Sequence, residues 1–249
     1  MLIHEVSEYV NWEIRQPEFY IQELLAKEGS LLIYGAPGVK KSWLVEYMGF
    51  CVATGSEWLG FPTQQARVLL VNFEISSIGY HWRLKDMNRN FALEPQMLYE
   101  ASPSITPLDE RAIFDRFAAD VRPIQPNVII LDCLSGCFGG DENNSREMST
   151  FIRHISELKA EHLASVVIVH HSNKNILAVS AMDRSRGHTK LPGWVDTVIY
   201  MVKQPSGVQL QFSKTRLSRR ELRSINIQFQ DHVWSLRTGQ GGNDGVVEH

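Results

Sequence analysis

Long hydrophobic runs and cysteines are both scarce in this chain of 249 residues. No apolar stretch approaches the roughly 20 residues that a membrane-spanning helix needs, and charged residues interrupt the N-terminus where the apolar core of a signal peptide would lie. The three cysteines, Cys51, Cys133 and Cys137, fall on segments predicted as helix, strand and loop, unlike an extracellular disulfide framework. These absences predict a cytoplasmic protein with no membrane partner.

Paired metal-binding cysteines are lacking too. Cys133 and Cys137 could serve as metal ligands beside His170 and His171, but the chain has no second close pair of cysteines such as structural zinc sites use. The sequence therefore argues against a zinc centre.

A large excess of positive charge is also missing, since the net charge is −3. This argues against a protein covered with nucleic-acid-binding charge. The distribution is uneven, because residues 174–223 carry ten Lys and Arg against three acidic residues. Such a basic region is compatible with a local nucleic-acid surface, an interface with an acidic neighbouring subunit, or an ordinary solvated face.

What the chain does contain is an ordinary globular composition, with 43% hydrophobic and 21% charged residues. Short runs rich in Val, Ile and Leu alternate with amphipathic stretches, a pattern typical of a mainly parallel sheet buried on both faces. The predicted strands of this part are 31–34, 68–73, 128–132 and 166–170, and the predicted helices are about 41–54, 77–90, 108–121 and 145–161. From residue 195 the pattern changes to closely spaced strands, at 197–202, 208–214, 224–230 and 233–237.

The predicted fold is therefore α/β, with a mainly parallel central sheet flanked by helices and extended by a C-terminal antiparallel meander. The length favours a single domain. We assign residues 31–238 to this domain, residues 1–30 to an N-terminal arm or linker, and residues 239–249 to a flexible tail rich in Gly and polar residues.

A glycine-containing loop joins the first predicted strand to the first predicted helix. Its residues are Gly35, Ala36, Pro37, Gly38, Val39, Lys40, Lys41 and Ser42. In this context backbone N–H groups and a helix N-terminus cradle phosphates, the lysine reaches the β- and γ-phosphates, and the hydroxyl ligates Mg²⁺. The segment predicts binding of ATP or another nucleoside triphosphate with Mg²⁺, with a plain glycine turn as the alternative. The usual pattern has Gly directly before the lysine, whereas Lys40 stands here and restricts the backbone.

Together with later motifs, this loop resembles the RecA-like P-loop NTPases, and within them the RepA-type plasmid replicative helicases. The resemblance covers the chain from about Leu25 to Arg216. It implies that Trp43, directly after the loop, also belongs to the nucleotide-binding segment. It implies that Glu74, at the end of strand 68–73, is the general base that activates water; the alternative is an N-cap of the next helix. It also implies that Asp132, which closes a Walker B strand, holds Mg²⁺ together with Ser42.

Two further motifs complete the resemblance. His171, in the pair that ends strand 166–170, corresponds to the sensor of the γ-phosphate, although both histidines could be hydrogen-bonded core residues. By resemblance, residues 178–189 form a loop that faces a ring channel and could contact DNA, and Arg186–Gly187 resembles the start of its Arg-Gly-Ser-Ser motif, from which the next two residues depart. Lys214 and Arg216 resemble cations that a neighbouring subunit inserts into the site, with a solvated strand end as the alternative.

The resemblance implies a homo-oligomeric ATPase, most readily a hexameric ring, that acts as a helicase-like motor on single-stranded DNA in replication. Lys40, the acidic net charge and the lack of a recognisable accessory domain favour a different hypothesis. In that hypothesis the protein is a slow or non-hydrolysing switch that uses nucleotide to assemble or recruit a partner.

Overall fold

The computed structural model describes residues 3–12, 16–103, 106–171 and 190–237. Its strands are β1 (Phe19–Ile21), β2 (Leu25–Ala26), β3 (Ser30–Gly35), β4 (Val68–Asn72), β5 (Leu98–Ala101), β6 (Val128–Asp132), β7 (Ser165–His171), β8 (Thr197–Gln204), β9 (Gly207–Thr215), β10 (Ile225–Gln230) and β11 (Val233–Leu236). Its helices are α1 (Val6–Tyr9), α2 (Lys41–Thr54), α3 (Ser77–Asn88), α4 (Arg111–Val121), α5 (Leu134–Cys137), α6 (Ser145–His162) and α7 (Lys190–Trp194).

Nine strands form one central sheet in the order β11-β10-β9-β8-β3-β7-β6-β4-β5. The six strands from β8 to β5 run parallel, and β9, β10 and β11 continue the sheet as an antiparallel meander. The predicted α/β fold with its C-terminal meander is therefore confirmed.

Helices cover both faces of the parallel part, which explains why every residue of β3, β4 and β6 is buried. Alternate residues of β3 enter two separate cores. Leu31 and Ile33 pack in the core that includes Leu44 and Met48 of α2. Leu32 packs in the core that includes α4 and α6 residues such as Phe114, Phe151 and Ile155.

The N-terminal segment divides into two parts with different burial. The short helix α1 has no buried residue. Further on, β1 and β2 pair with each other and bury Tyr20, Ile21, Leu24 and Leu25 in the same core as α2. The limits proposed for the arm, the domain and the tail stay predictions, and residues 239–249 lie outside the described residues.

Within the described part of the chain, no helix combines the length and the apolar character that crossing a membrane would require.

Candidate functional site

The phosphate loop lies where the parallel strands end, because β3 stops at Gly35 and α2 begins at Lys41. The loop requires Gly35 because of its close neighbours and Gly38 because of its backbone conformation. A Cβ on Gly35 would lie 2.7 Å from the Met201 carbonyl oxygen, and Gly38 has a φ of +80°. The backbone of the predicted loop is therefore built as a turn between a strand and a helix N-terminus, the arrangement that binds phosphate.

Lys40 adopts the left-handed conformation that a glycine would adopt most easily, with φ 63° and ψ 40° at the N-cap of α2. For an L-residue this conformation costs about 1–2 kcal/mol. The Lys40 ammonium lies 4.3 Å from the ring centroid of Phe229 and 6.0 Å from that of Trp43, within the range of a cation–π interaction. The loop thus keeps its turn, and two aromatic rings face the additional charge.

Lys41 is buried and folds over the loop. Its Nζ donates hydrogen bonds to the carbonyl oxygens of Gly35 at 2.9 Å and Ala36 at 3.0 Å. Burial lowers the pKa of Lys41, and the nearby carboxylates of Glu74 and Asp132 oppose that shift. The ammonium is therefore held beside the two acids that the sequence singled out.

The register of the sheet brings the other predicted residues to the same edge. His171 pairs with Gly35 across β7 and β3, and Asp132 pairs with Asn72 across β6 and β4. The Ser42 hydroxyl donates to the Glu74 carboxylate at 3.3 Å and lies close enough to Asp132 to lower the pKa of that carboxyl against the larger effect of burial. Five of the predicted residues, Lys41, Ser42, Glu74, Asp132 and His171, thus surround one point.

Asp132 is 4% exposed, and burial raises its pKa to about 6. Its Oδ1 atom has no hydrogen-bond partner among the described residues. A buried carboxylate with an unpaired oxygen is the arrangement that a cation would stabilise.

Glu74 is held by a turn rather than by a helix. The Asn72 side-chain oxygen accepts hydrogen bonds from the backbone N–H groups of Glu74 and Ile75, both at 3.1 Å. Ser76, whose hydroxyl accepts from the Gly79 N–H, caps α3. The alternative role of Glu74 as an N-cap is therefore wrong, and its carboxylate, 38% exposed, faces the loop.

The two histidines at the end of β7 face different acids, as expected for adjacent residues of a strand. His171 Nε2 lies 3.4 Å from Glu74 Oε1, whereas His170 Nε2 lies 3.6 Å from Glu142 Oε2. Burial, followed by the charge of Lys41, lowers the pKa of His171 below its ordinary value. The imidazole is therefore neutral at pH 7 and contacts the proposed base.

A cavity of about 190 Å³ opens above the loop. It is lined by Gly38, Lys40, Lys41, Ser42, Trp43, Glu74, Ile75, Arg83 and His171. Arg83, on α3, was not predicted from the sequence. Its guanidinium lies 4.8 Å from the Trp43 ring centroid and donates to Glu46 Oε1 at 2.8 Å.

Glu46 is a buried acid one helical turn after Ser42. Burial raises its pKa to about 8, and the charge of Arg83 opposes that shift. The sequence contains one signal for it, an acid inside an otherwise apolar helix, whereas Arg83 carries no motif at all.

Lys214 and Arg216 lie at the edge formed by the opposite ends of the strands, near the residue where β3 begins. Thr215 pairs with Thr197, which pairs with Leu31 at the start of β3, far from Gly35 at its end. Lys214 Nζ donates to the carbonyl oxygens of Pro192, Gly193 and Val195 at 2.7, 3.1 and 2.5 Å. Within one chain the structure therefore does not bring these two cations to Lys41.

Arg216 is more loosely held than Lys214. Its Nη2 donates to the Gly193 carbonyl at 2.8 Å, and its guanidinium lies 3.7 Å from Asp196, with half of the side chain exposed. Residues 178–189, predicted as the loop that faces a ring channel, lie outside the described residues.

Comparison with protein families matches residues 2–176 to the AAA domain. The chain belongs to the AAA domain family. Its structure is similar to the crystal structure of the RadB recombinase, with a TM-score of 0.60 and 15% identity over 84% of this chain and 91% of that one. A search of curated protein sequences finds no match.

Family and fold together make this AAA-domain protein a nucleotide-binding ATPase of the RecA-like type, as the phosphate loop predicts. Neither comparison distinguishes the RepA-type helicases within that broad group.

Proposed function

We propose that this AAA-domain protein binds ATP with Mg²⁺, hydrolyses it, and works as a ring-forming, helicase-like motor on single-stranded DNA. The observation that carries the proposal is the convergence of Lys41, Ser42, Glu74, Asp132 and His171 at one edge of the sheet. The C-terminal ends of β3, β4, β6 and β7 bring these residues together, at the edge where α/β sheets bind ligands.

The oxygen donors at this edge fit Mg²⁺. Magnesium prefers hard oxygen ligands and is often held by one or two protein groups. Ser42 and Asp132 would supply them, and the unpaired, buried Oδ1 of Asp132 gains a partner when a cation binds. An ion held by Ser42 and Asp132 would supply positive charge against the charge that develops during phosphoryl transfer.

Three residues of the chain would carry out the other steps of hydrolysis. Lys41 places a positive charge at the phosphates. Glu74, oriented by Asn72 and open to solvent, accepts the proton of the attacking water. His171 is a neutral hydrogen-bonding group between Glu74 and the end of β7, so it is well placed to respond when a γ-phosphate displaces that contact.

Assembly into a ring would complete the site. A head-to-tail arrangement sets one surface of a subunit against a different surface of the next, and it closes when the rotation allows. Arg216, half exposed at the edge opposite the loop, is then available to the neighbouring site, most readily in a hexamer. Lys214 would position this strand end, because three carbonyl groups already hold its ammonium. The basic composition of residues 174–223 supports contact with DNA phosphates.

The test is ATP binding and hydrolysis by Lys41→Ala and Glu74→Gln, with the exposed Glu57→Gln as the matched control. We expect Glu74→Gln to bind ATP and to lose about 100-fold or more in hydrolysis rate, Lys41→Ala to lose both activities, and Glu57→Gln to match wild type. Unchanged rates in both site variants would overturn the proposal. Stimulation of hydrolysis by single-stranded DNA, with a matching rise in oligomeric mass, tests the motor.

Lys40 favours a second candidate function, a slow nucleotide-gated switch that assembles or recruits a partner. A charged residue in a left-handed conformation stands directly before the catalytic lysine, where it can restrict movement of the loop. Under this proposal Lys40→Gly raises turnover strongly, whereas the motor proposal predicts little change.

A further inference from the structure

Cys133 brings a thiol to the edge of the sheet where the phosphate loop lies. One ligand atom from each of Cys133, Glu74 and His171 lies within 4.8 Å of the other two. We propose that these three side chains form a Zn²⁺ site directly beside the oxygen donors Ser42 and Asp132 that would hold Mg²⁺, since Glu74 accepts a hydrogen bond from the Ser42 hydroxyl at 3.3 Å.

The ligand set is chemically selective. Zinc takes Cys sulfur, His nitrogen and carboxylate oxygen in tetrahedral geometry, often with three protein ligands and one water. Bond lengths of about 2.0–2.3 Å place tetrahedral ligands roughly 3.5 Å apart, so small side-chain rotations bring the three atoms to bonding distance. Magnesium prefers oxygen donors, and thiolate selects softer metals.

Three strands that lie side by side supply the three ligands. Cys133 follows β6, Glu74 follows β4 and His171 ends β7, and β6 pairs with both of the others. Because these strand ends are fixed by the parallel ladder, most of the site exists before metal arrives. Glu74 is the most exposed of the three ligands, at 38%, and zinc would replace its contact with the Ser42 hydroxyl.

The neighbouring groups suit this role. Cys133 Sγ lies 3.1 Å from the Ser135 hydroxyl, which can donate to a metal-bound thiolate. His171 Nδ1 has no hydrogen-bond partner among the described residues, so no contact of that atom has to break when the ring binds metal. On binding, the thiol proton passes to solvent and sulfur forms the bond to zinc.

The other two thiols provide internal controls. Cys51 lies inside α2 and Cys137 inside α5, and both are fully buried in the two cores. Neither belongs to the cluster. The sequence argued against a zinc centre because it has no second close pair of cysteines, whereas this site needs only one thiol, combined with a histidine and a carboxylate.

Zinc binding would inhibit ATP hydrolysis, because Glu74 and His171 would be metal ligands and could no longer act on water and phosphate. This consequence rests on the proposed function, whereas zinc binding itself does not. Because zinc would bind the carboxylate of Glu74, the ATPase would be sensitive to free zinc even when Mg²⁺ is in large excess.

The experiment titrates the reduced full-length chain with Zn²⁺ by calorimetry, in Mg²⁺ buffer without nucleotide, and with Co²⁺ as an optical probe. We expect one zinc per chain and a thiolate-to-cobalt charge-transfer band. Cys133→Ser and His171→Ala should each weaken zinc binding by about tenfold or more, and Cys133→Ser should abolish the band, while Cys51→Ser keeps both signals.

Two results would overturn the zinc site: no zinc binding by wild type at micromolar concentration, or equal affinity in wild type, Cys133→Ser and His171→Ala. Circular dichroism of each variant verifies folding, and the two ligand variants test the site independently of each other. Zinc binding with no effect of Glu74→Gln on hydrolysis would instead contradict the proposed function and leave the zinc site standing.

Discussion

At the edge of the sheet where β3 ends, a buried acidic group lacks a partner among the described residues, because Asp132 is 4% exposed and its Oδ1 atom has no hydrogen-bond partner. At the opposite edge the polar groups are paired, because three carbonyl groups accept from Lys214 and Arg216 is paired with Asp196.

The difference indicates which edge is built to receive a ligand. Buried polar groups that lack partners reduce stability, so their presence is best explained by a ligand that supplies the missing partner. The opposite edge is stable by itself, and Arg216 is the group there with enough exposure to serve a neighbouring molecule. The two edges would then be complementary halves of one site formed between subunits.

The largest expected effect tests that complementarity directly. Arg216→Ala should lower the ATP hydrolysis rate by about 10³-fold, because a cation supplied in trans stabilises charge in phosphoryl transfer, while ATP affinity stays nearly unchanged. Steady-state kinetics and calorimetry would measure both. The matched control is Arg219→Ala, an exposed arginine three residues later, which should retain the wild-type rate.

Mixing subunits makes the same comparison sharper. Arg216→Ala and Glu74→Gln subunits are each inactive alone, but a mixed ring contains interfaces with both native residues. Activity of the mixture above either variant would support action in trans. A mixture that stays as inactive as its components, or an Arg216→Ala protein with the native rate, would contradict it.

The next effect concerns the buried pair beside the loop. At pH 9, where Glu46 is ionised because its pKa is about 8, Arg83→Ala should lower the free energy of unfolding by about 3 kcal/mol, because Glu46 loses the partner of a buried charge. Urea unfolding measures the loss. Glu46→Gln combined with Arg83→Met keeps the volume and removes both charges, so it should recover most of the stability. A loss below about 1 kcal/mol in the single variant would show that the pair is not coupled.

The raised pKa of Asp132 predicts a pH-dependent effect of slightly smaller size. The folded state keeps its proton up to about pH 6, whereas the unfolded chain releases it near pH 4, so this group lowers stability as pH rises through that interval. Asp132→Asn should therefore be more stable than wild type at pH 7.5, by up to about 3 kcal/mol, and the gain should shrink toward zero near pH 4.

Denaturant unfolding across that pH range checks the sign. Asp120→Asn, on the exposed face of α4, should follow wild type at every pH. A stability of Asp132→Asn that is lower than wild type at pH 7.5 would mean that the carboxylate is already compensated within the chain.

The bounds of buried strands, and of the helix that follows the phosphate loop, were predicted most accurately from the sequence. The bounds of β6 and α2 were predicted to the residue, and β3 within one residue at each end, because continuous apolar runs and a phosphate loop leave little choice. The strands β1, β2 and β5 were missed. They are two to four residues long, and a pattern this short carries no period.

Helix α4 shows a different kind of limit. It was predicted to begin at residue 108, but it begins at Arg111. The Leu108 backbone N–H instead donates to the Cys137 carbonyl at 2.7 Å, and the Leu108 side chain enters a core. This contact between distant parts of the chain overrides the local preference for helix.

Within the site, the sequence identified residues at strand ends and missed those that depend on helix packing. Lys41, Ser42, Glu74, Asp132 and His171 follow from the loop and from the ends of apolar strands. Arg83 enters the cavity because α3 crosses beside α2, and no local pattern encodes that crossing. The roles of all these residues remain predictions until the variants are measured.

The smallest expected effect concerns Lys40. Lys40→Gly removes the backbone strain of about 1–2 kcal/mol, but it also loses the cation–π contact with Phe229, worth about 0.5–1 kcal/mol, and makes the unfolded chain more flexible by about 0.4–1 kcal/mol. These terms nearly cancel, so we expect a change in the free energy of unfolding of less than about 1 kcal/mol.

Lys40→Ile is the informative partner of that variant. A β-branched residue is strongly disfavoured at positive φ, and isoleucine offers no charge to the aromatic rings, so this protein should be less stable than both wild type and Lys40→Gly. Thermal unfolding of the three proteins measures the order. If isoleucine were tolerated as well as glycine, the loop would have to leave the left-handed conformation in solution, and the backbone that brings Lys41 to the phosphates would no longer be set by this turn.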